Sequence, residues 1–377
     1  MSPNARFLGQ AGSRARLDTP ALLIDRAALD RNIAAMAAHA RGAGVALRPH
    51  AKTHKSLAIA RRQIDAGAIG ICCATLGEAE IMVQGGVPGI HITSPQVTEP
   101  KIARLIALNG ASHKGLSVVV DHLANLAALD AAARGSGRRL EVLIDFDAGQ
   151  GRTGATSEGS LRALVLAALA ADGLAFRGIQ SYSGNLQHIP VRAERRARAL
   201  AALETLGGVV ARLRGDGIAV PIVTGGGTGT FDLDPEGRIF TELQVGSYVF
   251  MDVQYRQALA DGRNTLPFET ALYVGTAVVS ANHASHVTTD AGLKSFATEG
   301  PPPEPASGAP PGSRYEFFGD EHGRLILPPG SQKPELAARI ECVTPHCDPT
   351  VNLYDVYHVV DGDRLVEIWP VDARGKR

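Results

Sequence analysis

Residues 45–93 read VALRPHAKTHKSLAIARRQIDAGAIGICCATLGEAEIMVQGGVPGIHIT. A short apolar run (45–48) leads into a stretch with apolar positions at i, i+3, i+4 and i+7 (56–66), closed by Gly67. A second run (69–73), a second helical stretch (77–84), Gly85 and a third run (90–93) follow in the same order. Such runs are strand-sized, the wider spacing is that of one helix face, and a glycine after the last periodic position ends a helix. The alternation continues with strand candidates 116–120, 140–145, 175–182, 220–224 and 243–250. Helical stretches at 123–133, 160–171 and 193–213 lie between them, ending near Gly135, Gly173 and Gly215. Eight strand–helix repeats are what a (β/α)8 TIM-type barrel requires. A doubly wound open sheet is the competing arrangement, and the strand count favours the barrel.

Beyond Asp252 the helical spacing fades into short strand-like runs at 271–280, 286–289, 339–343, 356–360 and 365–370. The expected organisation is α/β: a barrel over 20–258, followed by a mainly β domain over 259–377 that also takes in 1–19. Segment 299–314, EGPPPEPASGAPPGSR, is too rich in proline and glycine to pack and is expected as an exposed loop.

The composition, 45% apolar and 20% charged over 377 residues, is globular and excludes bulk disorder. Lys+Arg 38 against Asp+Glu 38 leaves no basic excess, so neither nucleic acid nor an anionic membrane is a default partner. No apolar run reaches the roughly 18 residues of a membrane span. The first twenty residues lack the apolar core of a signal peptide, and Cys72, Cys73, Cys342 and Cys347 form no CxxC pair. A soluble cytoplasmic enzyme is expected.

In a barrel, reactive groups gather at the carboxyl ends of the strands. The first strand ends in RPHAKTHK (48–55), which places Lys52 between His50 and His54. The chain has only seven lysines, at 52, 55, 101, 114, 294, 333 and 376, so a lysine at a strand tip is a selective candidate for a Schiff-base nucleophile. The seventh strand runs into TGGGTGT (224–230), whose unshielded backbone amides can cradle a phosphate. It is neither a Walker motif nor a GxGxxG fingerprint. A phosphate cradle and a reactive lysine in one barrel suggest pyridoxal phosphate.

These motifs, with QGRTG (150–154), QSYSGNLQH (180–188), ELQVGSYVFMD (242–252), DAGLKS (290–295), DEHG (320–323) and PHCDPTVNLYD (345–355), resemble in order the D-threonine aldolase and D-serine dehydratase family. That resemblance implies the alanine-racemase-like fold, a pyridoxal-phosphate barrel followed by a β domain. It makes Lys52 the lysine bound to the cofactor aldehyde, and Arg152 the arginine near the phenolic oxygen, with Tyr182 beside the ring. Thr224, Gly226, Gly227 and Thr228 resemble the phosphate and ring-nitrogen contacts, with Tyr248 and Asp252 completing the pocket. One departure is Ala74 after the paired cysteines, where relatives often carry glutamine.

Residues i and i+2 of an extended segment share a face, so His346 and Asp348 can converge on one ion while Cys347 points away. The family's dehydratases have His-x-Cys and zinc. An aspartate supplies a hard oxygen donor, which favours Mn2+, with Mg2+ or Ca2+ next and Zn2+ disfavoured. His-x-Asp therefore resembles the aldolase branch, whose reaction splits a D-3-hydroxy-α-amino acid into glycine and an aldehyde. His188 or a metal-bound hydroxide is the candidate base. The resemblance also implies a homodimer. Two readings compete: a D-serine or D-threo-3-hydroxyaspartate dehydratase, and a non-catalytic pyridoxal-phosphate carrier. Arg256 is a candidate for recognising an acidic side chain, His322 within DEHG a further possible ligand, and Arg195, Arg196 and Arg198 a solvated helix face.

Overall fold

A computed structural model describes residues 2–112, 115–260 and 266–377. The chain begins β1 (Ala21–Asp25), α1 (Arg26–Ala43), β2 (Ala46–Leu47), α2 (Leu57–Asp65), β3 (Ile71–Cys73), α3 (Leu76–Gln84), β4 (Ile90–Ile92) and α4 (Glu99–Ala111). It continues β5 (Leu116–Val120), α5 (Leu123–Arg134), β6 (Leu140–Asp145), α6 (Glu158–Ala170), β7 (Leu174–Ser181), α7 (Arg192–Gly215), β8 (Ile222–Gly225), β9 (Glu242–Leu243) and α8 (Val253–Ala260). The helices start where their side chains cap them: Thr75 with Glu78, and Ser157 with Ser160, each exchange hydrogen bonds in a capping box. The expected glycines close them: Gly85 and Gly135 are the C-cap residues of α3 and α5, Gly67 stands at φ +106° just past α2, and α7 ends on Gly215.

Strands β2 to β9 form one eight-stranded parallel sheet in the order β2-β9-β8-β7-β6-β5-β4-β3. A parallel bridge between His50 and Cys72, with the Ile69 amide on the Leu47 carbonyl at 2.9 Å, closes it into the expected barrel. The eighth strand is only Glu242–Leu243, not 243–250. Residues 245 and 248–251 are apolar because they are buried, but the chain there curls into the turn Ser247–Val249. Arg48, just past β2, and Glu242 of the neighbouring β9 are locked together, Nε to Oε1 at 2.8 Å and Nη2 to Oε2 at 2.9 Å, and both are largely buried.

The second sheet holds β10 (Leu272–Ser280), β11 (His286–Thr289), β12 (Glu304–Ser307), β13 (Arg314–Phe317), β14 (Gly323–Ile326) and β15 (Arg339–Val343). After the short helix α9 (Cys347–Val351), β16 (Val356–Asp361) and β17 (Arg364–Pro370) complete it. Its order is β13-β14-β11-β10-β1-β16-β17, with β15 also on β10 and β12 on β15. Strand β1 belongs here: it pairs antiparallel with β10 and parallel with β16, although residue 20 onward was expected in the barrel. An apolar run such as ALLID fits either sheet, and the available ladder partners decide. Leu17, Leu23, Val360 and Leu365 form one of its buried clusters. Two compact units result: Met36–Lys52, Ile59–Gly246 and Lys376–Arg377 in one, and Met1–Ala35, Thr53–Ala58 and Ser247–Gly375 in the other.

Segment 299–314 departs from expectation, since β12 lies within it. Pro305 is tolerated because β12 has β15 as its one strand neighbour, and an edge strand can spare an amide donor. No helix among the described residues is long and apolar enough to cross a membrane.

Cutting this buried ion pair from one side leaves a buried charge alone. Glu242→Ala is expected to cost about 3 kcal/mol in urea denaturation, and Arg48→Met with Glu242→Leu to recover much of it. A wild-type midpoint for the single variant would refute this role for the pair.

Candidate active site

The groups at the carboxyl rim of the barrel are set by a buried polar belt. Lys52 lies in the turn Ala51–Thr53 just past β2, half-buried, with its amide on His50 Nδ1 at 3.3 Å. His50 Nε2 meets Thr93 Oγ1 at 3.1 Å, and that hydroxyl donates to the Cys73 carbonyl at 3.2 Å. The hydroxyl must therefore accept from His50, which fixes the Nε2–H tautomer and leaves Nδ1 as the acceptor.

Deeper in, the Gln180 amide donates to Asp145 Oδ1 at 3.0 Å and to the Thr93 carbonyl at 3.2 Å. Its oxygen takes His91 Nε2 at 3.0 Å and Gln244 Nε2 at 3.1 Å. His91 then accepts on Nδ1 from Ser117 at 2.9 Å and is neutral, since burial pushes its pKa down to about 4. Asp145 is pushed up by burial, partly offset by hydrogen bonds from Thr153 and Gln180. Thr153 Oγ1 reaches Asp145 Oδ2 at 2.7 Å, and Asp147 Oδ1 gathers the amides of Gly149 at 2.9 Å and Gln150 at 2.7 Å. The QGRTG turn is thereby held, and the Arg152 guanidinium stands over the Tyr182 ring, 5.2 Å from its centroid.

At the end of β8, the buried Thr224 hydroxyl accepts from Gln244 Nε2 at 3.0 Å, which leaves its own proton for another acceptor. Gly226 has φ +72°, and Gly227 and Thr228 continue the turn, with Thr228 buried. His188 is exposed in the loop after β7, next to the buried Gln187.

In the other unit, Tyr248 is buried with its ring 5.6 Å from that of Phe268. Asp252 is buried and raised by that burial; its Oδ1 accepts from the Tyr255 amide at 2.9 Å and its Oδ2 from the Cys347 amide at 2.8 Å. It anchors the start of α9. The 346–348 segment is not extended throughout: His346 is the extended residue that precedes the helix, and Asp348 is in its first turn. They still converge, His346 Nε2 lying 3.9 Å from Asp348 Oδ1, while Cys347 is buried. Glu299 Oε1 sits 2.7 Å from His346 Nδ1, an interaction with no local signal because Glu299 comes from the proline-rich segment.

One further reading changes, that of Arg195, and two other candidates are placed. Arg195 is fully buried, donating to the carbonyls of Ile189 and Pro190, whereas Arg196 pairs with Glu236 and Arg198 with Glu194 on the surface. Arg256 is engaged by Glu304 at 3.1 Å. Around DEHG, the amides of Leu293 and Lys294 bond the carbonyls of Gly319 and Asp320, and Lys294 Nζ meets Glu321 at 2.5 Å.

The donors suit the groups that the resemblance implies. A primary amine, a spare buried hydroxyl and a glycine turn occupy strand ends of one barrel, as a phosphorylated aldehyde needs. The His346–Asp348 gap can be spanned by a cation bound to both. No group of three or more His, Cys, Asp or Glu forms a metal cluster among the described residues, so water or substrate oxygen would fill the remaining positions.

Residues 24–254 match the family model described as the alanine racemase N-terminal domain, and residues 271–360 that of a putative serine dehydratase domain. The chain is 41% identical to a D-threonine aldolase from Arthrobacter sp., over 96% of this chain and 94% of the relative. It is 36% identical to a 3-hydroxy-D-aspartate aldolase from Paracoccus denitrificans, over 96% and 93%. The crystal structure of D-threonine aldolase from Filomicrobium marinum superposes with a TM-score of 0.91 at 38% identity, covering 96% of each chain.

His91 gives the belt a pH signature. An unfolded histidine takes up a proton below its ordinary pKa of 6.5, and the buried one only near 4, so the unfolded state binds more protons in that window. Stability is expected to fall by about 3 kcal/mol through this group as pH drops across the window. His91→Gln should show a flatter denaturation-midpoint profile than wild type, and parallel profiles would contradict the neutral, buried assignment.

Proposed function

The chain belongs to the D-threonine aldolase and D-serine dehydratase family built on the alanine racemase N-terminal domain, and from that membership we propose a pyridoxal-phosphate- and metal-dependent aldolase. Its substrates would be D-threonine and related D-3-hydroxy-α-amino acids, cleaved to glycine and an aldehyde. The observation that carries this reading is the His346–Asp348 pair, an imidazole and a carboxylate 3.9 Å apart where the resembling dehydratases carry a thiolate. A hard donor set favours Mn2+.

When bound, pyridoxal phosphate supplies an aldehyde for amines and a sink for the electrons of the broken carbon–carbon bond, and the divalent ion acidifies a hydroxyl. Lys52 contributes the amine that holds the aldehyde and yields it to the substrate. Thr224, Gly226 and Thr228, in one turn with Gly227, would take the phosphate and the ring nitrogen, and Arg152, stacked on Tyr182, would face the phenolic oxygen. His346 and Asp348 hold the ion, with Glu299 orienting the imidazole through Nδ1. Tyr248 and Asp252 are assigned to the cofactor as the resemblance implies, and Asp252 fixes the Cys347 amide between the two ligands. His188 takes the proton from the substrate's β-hydroxyl oxygen. The four free cysteines support a reducing, cytoplasmic setting, and the family resemblance supports a homodimer.

Incubation with D-threonine, pyridoxal phosphate and Mn2+ is expected to release glycine and acetaldehyde, detected by chromatography and a coupled dehydrogenase. Formation of 2-oxobutyrate and ammonia would instead establish the dehydratase, which the match at 271–360 keeps as the second reading. Lys52→Ala should remove the visible absorbance of the bound cofactor. Asp348→Ala should keep that absorbance yet lose turnover, and unchanged turnover in the presence of chelator would overturn the metal role. Glu299→Gln should weaken Mn2+ binding about tenfold in a metal titration.

A further inference from the structure

Three buried side chains behind the glycine turn have no part in the chemistry above. Gln187, Thr230 and Asp234 are each no more than 4% exposed and converge on one hydroxyl. Thr230 Oγ1 accepts from Gln187 Nε2 at 3.1 Å and donates to Asp234 Oδ2 at 2.7 Å. From there both partners reach the turn: Gln187 Oε1 accepts the Gly229 amide at 2.8 Å, and Asp234 Oδ2 the Gly227 amide at 3.4 Å. Gln187 Nε2 also donates to the Ser183 carbonyl at 3.2 Å, which ties the turn to the loop after β7.

We propose that Gln187, Thr230 and Asp234 are positioning residues that clamp the 224–230 turn into the cradle for the phosphate group of the bound cofactor. The inference rests on the pyridoxal-phosphate reading and adds to it the residues that shape the anion site.

The glycines show how tightly the clamp fits. A Cβ on Gly226 would lie 2.3 Å from Asp234 Oδ2, one on Gly227 2.4 Å from Gln187 Oε1, and one on Gly229 1.9 Å from the Gln187 carbonyl oxygen. The three positions are therefore small because the clamp fills the space that side chains would take, and its hydrogen bonds hold the turn in this shape. Preorganisation of this kind removes the ordering cost from binding. The amides of Gly227 and Gly229 are held by the clamp, so the anion is left to the remaining donors of the turn, the Thr224 hydroxyl among them.

Charge is consistent with this placement. An ionised Asp234 beside a phosphate would repel it, but burial pushes its carboxyl up to about 7, with Asp232 adding to the rise. The nearby charges are engaged elsewhere, Asp232 with Arg192 and Glu236 with Arg196. Burial thus weakens the charge Asp234 sets against an anion while its hydrogen bonds are kept.

The test compares two ligands that differ only in the phosphate. The full-length protein, stripped of cofactor, is titrated with pyridoxal phosphate and with pyridoxal by visible absorbance. Gln187→Leu and Thr230→Val are expected to raise Kd for pyridoxal phosphate about tenfold, the loss of one buried hydrogen-bonded partner, and to leave pyridoxal binding within about twofold. Asp234→Asn, which keeps shape and carries no charge, should bind both ligands as wild type does, whereas Asp234→Ala should fall with the other two. Equal losses for both ligands, or none for either, would overturn the clamp. Should Gln187→Leu not fold, as judged by circular dichroism, the isosteric Thr230→Val alone decides. Failure of the wild-type protein to bind pyridoxal phosphate would instead overturn the cofactor reading, and the clamp with it.

Discussion

The eight-stranded sheet has to meet itself between β3 and β2, and it does so at His50. The His50 amide donates to Val245 on one side at 2.9 Å, and the Cys72 amide donates to Pro49 on the other at 2.8 Å. Proline has no N–H to offer, so Pro49 serves this closure only as an acceptor, and it does. Arg48 adds a two-pronged ion pair to Glu242 and a bond to the Gly89 carbonyl. The chain is therefore fixed from both neighbouring strands immediately before Lys52. The placement of the amine follows from closing the barrel, and parallel closure brings every other strand tip to the same rim.

The rim in turn depends on an interior layer that is polar. A belt running through Ser117, His91, Gln180, Asp145 and Thr153 crosses from β5 to the Arg152 turn, and Gln244 extends it to Thr224. Such a layer stabilises less than apolar packing would. Its value is geometric, because each of these groups is satisfied in one arrangement and an alternative register would strand a buried donor. The neutral His91 is part of that arrangement: protonated, it would place a second donor against the Ser117 hydroxyl, which could turn to accept, and leave a buried charge with no carboxylate on either ring nitrogen.

Legibility in the sequence divides along the same physical line. The repeats from β2 to β8 were readable because strand and helix impose local periods, and α2, α5 and α7 fall within a few residues of the expected 56–66, 123–133 and 193–213. Lys52, the glycine turn and the His346–Asp348 pair were readable because unusual residue types are adjacent in the chain. What escaped was set by distant partners. The run at 243–250 looked like a strand because burial and extension leave the same apolar mark. Arg195 looked solvated, since nothing in a helical pattern shows that carbonyls of the preceding loop await it. Glu299 reaches His346 across 47 positions, from a segment whose composition argued against any packing.

Around α9, three carboxylates of similar intrinsic acidity are given different tasks by their surroundings. Asp252 is fully buried with a backbone amide on each oxygen, so it is committed to structure and raised in pKa. Glu299 is mostly exposed and bonds the imidazole through Nδ1, which turns Nε2 toward Asp348. Asp348 is partly buried, faces that nitrogen, and is carried by a helix start that Asp252 holds in place. A cation in the gap would meet one nitrogen and one hard oxygen, with the remaining positions open to the hydroxyl of a substrate. Cys347, between the two in sequence, is buried and its amide is bound to Asp252, so the side chains that face each other here are an imidazole and a carboxylate. In a D-3-hydroxy-α-amino acid, loss of the hydroxyl proton lets the oxygen form a carbonyl while the carbon–carbon bond gives up its electrons to Cα, whereas elimination expels the hydroxyl whole.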